Sequence, residues 1–144
     1  MNFLNEFTLA LEKRREKNKL SFFLVNEDVS KIQLEELTKI SIPVNVLNML
    51  ISLNGLLIRE PRSFELLKFS EMKVVNSRYL LFARMNENQN ICFDMHKLNS
   101  ASEWDIVNYE NGFVITKTSS SFLTNKIWAW IDRSRTIWMQ EFYR

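Results

Sequence analysis

Four strand-like segments joined by short polar turns occupy the second half of this sequence. The first two, residues 79–85 and 90–95, are separated by a polar stretch of turn formers. The other two, residues 104–109 and 113–116, flank the Asn111-Gly112 pair, which is a strong signal for a tight hairpin turn. The pattern therefore predicts two consecutive hairpins that form an antiparallel meander.

Two helices are predicted near the N-terminus. Apolar residues recur at helical spacing over residues 2–17, with charged residues completing the turns. A second helix, at about residues 29–39, has two candidate caps, Asp28 and Ser30, and would turn Ile32 and Leu37 inward. Between them lies the short apolar run 20–25, which is compatible with a strand or with a buried connector.

A third helix is predicted to begin at Pro43, because proline suits the first turn of a helix. Its predicted apolar face is Val44, Leu47, Leu50 and Ile51. The pair Asn54-Gly55 then closes the helix, with Gly55 able to take the left-handed conformation. After it, residues 56–58 are short and apolar, and residues 64–69 are compatible with part of a strand pair.

The C-terminal stretch from Phe122 to Phe142 has apolar residues at helical spacing, preceded by possible serine and threonine caps at 118–121. It predicts one long helix, or two helices with a break near Ser134. Trp130 and Trp138 fall on the apolar face and are expected in the core. Trp128 and Tyr143 fall off that face, so they either mark a protein interface or cover the edge of the sheet.

Helices followed by a run of strands and then another helix indicate the α+β class. We expect a central antiparallel sheet flanked by N-terminal helices and a C-terminal helix. The length of 144 residues is ordinary for one domain, so residues 1–144 are predicted to form a single one.

Charge is nearly balanced, with 19 basic and 17 acidic residues and a formal net charge of +2. This balance predicts no general attraction to nucleic acid or to a membrane. The basic residues at 13–19 alternate with Glu12 and Glu16, which favours a solvated helix face. The sequence has no apolar run long enough to span a membrane and no signal-peptide pattern at the N-terminus, so a cytoplasmic location is expected.

Residues 84–112 are locally acidic, with two basic and five acidic side chains. These five acids and the neighbouring aromatic residue are the candidate partner-binding residues: Glu87, Asp94, Glu103, Trp104, Asp105 and Glu110. The hypothesis is that they face a protein partner.

Residues suited to catalysis are sparse. His96, the one histidine, lies two residues from Asp94, and a small hydrolase or nuclease using this pair is one hypothesis, although a turn histidine is the simpler interpretation. One cysteine and one histidine make no zinc set. Cys92 lies within a predicted strand, where a buried and inert thiol is expected. The sequence therefore predicts neither an enzyme nor a metal or cofactor site.

The order of several short motifs resembles the SUKH superfamily, which includes the fungal Smi/Knr cell-wall assembly regulators and many bacterial relatives. The likeness runs from about residue 29 to the C-terminus. These motifs are Ile42-Pro43, the helix 47–51, Asn54-Gly55, YLLFA at 79–83, NICFD at 90–94, EWDIV at 103–107 and SSFL at 120–123.

The resemblance implies an α+β fold with a central antiparallel sheet and a role that needs no catalytic residue. It implies an immunity protein that binds a cognate polymorphic toxin, often a nuclease, and neutralises it by occlusion. The alternative that it leaves open is a regulatory adaptor of the Smi/Knr type. The local acidic residues could then meet a basic toxin, since electrostatic steering depends on the patch that faces the partner.

Overall fold

A computed structural model of the chain describes residues 2–140. The elements follow one another as α1 (Phe3–Glu16), β1 (Ser21–Leu24), α2 (Lys31–Thr38), α3 (Val44–Ser52), β2 (Leu56–Glu60), β3 (Phe64–Leu66), β4 (Lys73–Val75), β5 (Tyr79–Met85), β6 (Gln89–Asp94), β7 (Asp105–Asn108) and β8 (Val114–Thr116). A last helical segment begins as α4 (Ser119–Ser121), continues as a π-helix (Phe122–Lys126) and ends as α5 (Ile127–Arg133). We call this whole segment the C-terminal helix. The predicted α+β class is confirmed.

The strands form one antiparallel sheet in the order β1-β2-β3-β5-β6-β7-β8. Strand β4 is the exception, because β3 and β4 pair in succession with the same strand, β5. Residues 67–72 leave the sheet between them and include a 3-10 turn at Phe69–Glu71. Both predicted hairpins are present, and the ambiguous run at 20–25 contains a strand. Strand β4 (Lys73–Val75) was not predicted.

One face of the sheet, the core face, packs against helices. Leu80, Phe93 and Ile106 lie in register on neighbouring strands, and all three are fully buried. Phe82 stacks on Phe93 with ring centroids 4.1 Å apart, and Phe122 of the C-terminal helix meets Phe82 at 5.7 Å. Aromatic contacts of this kind bury large areas and dominate the stability of a core.

Helix α2 begins at Ser30, whose side chain accepts a hydrogen bond from the Gln33 backbone in a reciprocal capping box. This decides between the two predicted caps. The prediction that Ile32 faces inward is wrong, because its side chain is 68% exposed. Leu34 and Thr38, one helical turn apart, form the buried stripe instead.

Helix α3 follows Pro43 as predicted, and Leu47 and Leu50 are buried. Val44 was also expected on the buried face, but it is 67% exposed. The buried stripe is centred on Val46 and its neighbours one turn further on, so Val44 lies on nearly the opposite side at 3.6 residues per turn.

Gly55 has a φ of +77°, as its predicted left-handed conformation requires. The helix itself closes earlier, at Leu53, and the buried Asn54 amide donates to the carbonyls of Leu50 and Ile51. A Cβ added to Gly55 would lie 2.2 Å from the carbonyl oxygen of Val25, the residue that follows strand β1. This close approach of the two backbones also requires glycine at position 55.

The C-terminal helix corrects two predictions. Trp128 was expected off the apolar face, yet it is only 7% exposed and its ring lies 5.5 Å from Phe7. Helix α5 is buried on more than one side, because Ile127, Trp130 and Ile131 on the predicted apolar face are buried as well as Trp128. Helical periodicity identified one buried side of α5 but not the second, which packs against α1.

The second correction concerns the end of this helix. It stops at Arg133, and Ser134 has a φ of +59°, so the predicted break is confirmed but no helix follows over residues 135–140. The chain turns back, and Trp138 packs edge-on against Trp130 with centroids 4.7 Å apart. Both tryptophans are in the core as predicted. Phe142 and Tyr143 lie outside the described residues.

Candidate functional site

The face of the sheet opposite the core face is the candidate site, and we call it the open face. Its side chains follow from the strand registers: Leu81, Cys92 and Val107 lie side by side on β5, β6 and β7. In the neighbouring row, Tyr79 pairs with Asp94. Directly paired residues of an antiparallel sheet point to the same side, so these side chains share one surface.

A shallow cavity of about 420 Å³ lies on the open face. All of the residues that line it belong to strands or to the loops that follow strands, and none belongs to a helix. They are Lys73, Val75, Leu81, Arg84, Glu87, Asn88, Asn90, Cys92 and Tyr109. A cavity of this size is within the range of ligand pockets, and its mixed polar and apolar lining suits a protein surface or a small molecule.

Two tyrosines stand over the apolar centre of the open face. The rings of Tyr79 and Tyr109 meet edge to face at a centroid distance of 5.7 Å. Arg78 places its guanidinium carbon 5.1 Å from the centre of the Tyr79 ring. Tyr109 is 40% exposed, so its ring is available to a partner while its neighbour holds it in place.

Ion pairs neutralise much of the charge on the open face. Arg78 holds Asp94 through two hydrogen bonds of 2.9 and 2.8 Å. Arg84 reaches Glu65 on the neighbouring strand at 3.3 Å. The first pair also offsets the repulsion between Asp94 and Asp105, which lie directly opposite each other on β6 and β7.

The pKa of Asp94 reflects these contacts. Partial burial of the carboxyl group would raise its pKa, but the hydrogen bond from Arg78 and the backbone N–H of His96 lower it further than burial raises it. The net result is a pKa below the ordinary value, so Asp94 carries a negative charge at neutral pH that Arg78 compensates.

The remaining predicted acids on this side differ in accessibility. Glu87 lies exposed at the tip of the β5–β6 hairpin. Glu110 is also exposed, and it accepts hydrogen bonds from the backbone and side-chain nitrogens of Asn90. Asp105 is half-buried and accepts a hydrogen bond from Asn99 at 2.9 Å. Glu87 and Glu110 are therefore the predicted acids that a partner can reach most freely.

Two predicted partner-binding residues are in the interior, which corrects the prediction for them. Glu103 is 6% exposed and Trp104 is 2% exposed. The Glu103 carboxylate accepts hydrogen bonds from the backbone N–H of Ser119 at 2.9 Å and from Asn45 at 3.2 Å. It thus satisfies donors at the start of the C-terminal helix, where a negative charge is favourable. Trp104 packs in the core beside Phe93, with centroids 6.2 Å apart.

The Asp94–His96 pair of the hydrolase hypothesis is linked through the peptide backbone. The Asp94 carboxylate accepts from the backbone N–H of His96 at 3.1 Å, and its other contacts are to Arg78. That geometry fixes a turn and does not orient the imidazole for proton transfer. Among residues 2–140, the structure contains no group of three or more His, Cys, Asp or Glu side chains placed to hold a metal ion.

Cys92 forms part of the floor of the open face and is 1% exposed, in agreement with the prediction of a buried thiol. Desolvation, with smaller effects from the charges of Glu110 and Asp94, raises the pKa of its thiol to about 12. The thiolate form that nucleophilic chemistry requires is therefore scarce at neutral pH.

The tyrosine pair, Arg78 and Arg84 were missing from the predicted set. Their signal in the sequence is the two-residue alternation of strands β5 and β6, which assigns Tyr79 and Leu81 to one face. Choosing which face stays open requires knowing where the helices pack, and alternation does not contain that information.

The fold and the open face define a class: an antiparallel sheet with helices on one side and a mixed aromatic and charged surface on the other. Comparison with protein-family models, with curated proteins and with solved structures found no match to this chain. Among the described residues, each helix is too short or too polar to cross a membrane.

Proposed function

We propose that this protein is an immunity protein that binds a cognate protein toxin through the open face and occludes the toxin's active site. The observation that carries the proposal is the open face itself, a broad surface of strands lined by tyrosines and paired arginines without a helix in its lining. The resemblance to the SUKH superfamily is the reason for proposing a toxin as the partner.

The chemistry of the open face suits recognition of a protein. Tyrosine and arginine are enriched among the residues that dominate binding energy, because each combines a large contact area with polar groups. Tyr109 is held by Tyr79, and Arg78 is held by Asp94, so little conformational freedom remains to be lost on binding.

Electrostatics favour a basic partner at one end of this surface. Glu87 and Glu110 lie at the hairpin tip and just after β7, near the same end of the cavity. Acidic groups at the rim of an interface mainly accelerate association and make it sensitive to salt. A nuclease toxin, which must itself bind a polyanion, would present the complementary charge.

Co-expression with the product of a toxin gene adjacent to its own gene tests the proposal. We expect growth to be rescued and a complex to be recovered by affinity capture. Tyr109→Ala and Glu87→Lys should each weaken the complex, because they remove the central exposed ring and reverse a rim charge. The matched controls Val44→Ser and Glu36→Lys change exposed residues on α3 and α2 and should leave binding unchanged.

Failure of both rescue and complex formation would refute the immunity function. A complex that survives the open-face variants unchanged would locate the interface elsewhere. Capture of several host proteins in place of a toxin would favour the regulatory adaptor.

A further inference from the structure

A second cavity lies away from the open face, between the end of α1, the β2–β3 turn and the end of the C-terminal helix. It measures about 620 Å³. We call it the basic cleft and define it by the residues that line it: Lys13, Arg14, Lys17, Lys19, Pro61, Arg62, Ile131 and Asp132. Five cations and one carboxylate give the cleft a formal charge of +4.

The acidic residues that alternate with these lysines in sequence do not neutralise the cleft. Glu12 is bound to Arg15 at 2.6 Å, and neither of them lines the cavity. Glu16 does not line it either. The prediction of an ordinary solvated helix face rested on that alternation, but the helix turns the lysines at positions 13 and 17 to the same side, four residues apart.

Two of the cations are held in place. Arg14 binds Asp132 through two hydrogen bonds of 3.1 and 2.7 Å, and its guanidinium carbon lies 3.7 Å from the centre of the Trp128 ring. Arg62 donates to the backbone carbonyl of Ile131 at the end of the C-terminal helix. A guanidinium has five N–H donors, so each arginine keeps donors for a ligand.

The other three cations form no ion pair with a described residue. Lys13, Lys17 and Lys19 are exposed, and the salt bridges between described residues include none of them. Three exposed lysines and two arginines that are held by hydrogen bonds thus surround one concavity. Mutual repulsion of unpaired cations that line one cavity is relieved by a multiply charged anion.

We propose that the basic cleft binds a compact phosphate compound with several negative charges, such as a triphosphate group. Phosphate matches the donor set, because arginine binds its oxygens in a fork and lysine neutralises it as a point charge. A compact ligand fits better than a long nucleic acid, because the cations come from the α1 region and from the β2–β3 turn and line one cavity. The proposal is independent of toxin binding, which uses the open face.

Titration calorimetry with sodium tripolyphosphate tests this inference, with ATP and a single-stranded RNA oligonucleotide as parallel arms. We expect saturable binding of tripolyphosphate at one site per chain that weakens as salt concentration rises. The combined variant Lys13→Gln, Lys17→Gln, Lys19→Gln should weaken binding about tenfold or more, since each lysine contributes one exposed charge interaction.

A second triple variant, Lys31→Gln, Lys97→Gln, Lys117→Gln, is the matched control. It removes the same charge from exposed lysines outside the cleft and should leave the affinity unchanged. Far-ultraviolet circular dichroism verifies that both variants fold. ATP that binds as tightly as tripolyphosphate would indicate recognition of phosphate alone, and tighter ATP binding would indicate a nucleotide.

Three results would overturn the inference. The first is no saturable binding of either small phosphate compound. The second is an equal loss of affinity in both triple variants, which would mean general charge attraction. The third is binding of the RNA oligonucleotide alone, which would make the surface a nucleic-acid interface.

Discussion

The open face and the basic cleft differ in how many of their basic residues are paired. On the open face, Arg78 and Arg84 are each paired with a carboxylate across the sheet. In the cleft, three lysines have no ion-pair partner among the described residues. Paired charges shape a surface and contribute little net field, whereas unpaired charges create a field that attracts a ligand. The first arrangement suits contact with a structured partner and the second suits capture of an anion.

The largest expected effect concerns the floor of the open face. Because burial raises the pKa of the Cys92 thiol to about 12, the native protein should contain about a thousandfold less thiolate than an ordinary cysteine would provide. We expect the thiol of the folded protein to react with a disulfide reagent at about pH 8 more slowly than the unfolded chain by at least this factor. Fast labelling of native protein would show that the floor opens to solvent, and the open face would then not be a preformed surface.

The next prediction compares the loss of stability on removing a buried acid with that on removing an exposed one. Glu103→Ala should lower the free energy of unfolding by about 2 kcal/mol, because it leaves the Ser119 N–H and the Asn45 amide without their charged acceptor. Glu87→Ala should change it by less than about 0.5 kcal/mol, since that side chain is exposed. Urea denaturation of both variants measures the difference. Equal effects would contradict the assignment of Glu103 to the interior.

These two glutamates also show what the sequence could and could not predict. The count of acidic residues between positions 84 and 112 is visible in the sequence, but their burial depends on the C-terminal helix, which packs beside Glu103. The hairpins were predictable because their signals are local. Trp128 was not, because it is buried by contact with α1, which is distant in the sequence, on a second side of α5. The basic cleft was invisible because its residues come from three separated parts of the chain.

A smaller effect tests the pairing on the open face through pH. The pKa of Asp94 is lowered in the folded state, so its contribution to stability is fully present well above the ordinary value of 3.8. That contribution is lost as the pH falls through the lowered pKa. At neutral pH, Asp94→Asn should therefore lower the equilibrium constant for folding by only roughly two- to fivefold, because water screens the Arg78–Asp94 ion pair.

The same variant should approach the wild type in stability as the pH falls below the ordinary carboxyl pKa of 3.8 and through the lowered pKa of Asp94. Urea denaturation across this pH range measures the difference in the free energy of unfolding between the variant and the wild type. A difference that stays constant down to acid pH would mean that Arg78 does not stabilise the Asp94 carboxylate.

The smallest effect is expected from the lysines of the basic cleft, and its sign is the informative part. Lys17→Gln removes an exposed cation that lies near other cations and has no ion-pair partner among the described residues. The free energy of unfolding should therefore stay the same or rise by about 0.5 kcal/mol at most. Added salt should erase the gain by screening the repulsion. Lys31→Gln, on α2, should show no gain in stability at low salt and therefore no loss of that gain at high salt. A stability loss in Lys17→Gln, measured by thermal unfolding at low and high salt, would mean that Lys17 already has a stabilising partner. In that case the cleft would resemble the open face, with charges that the protein satisfies internally.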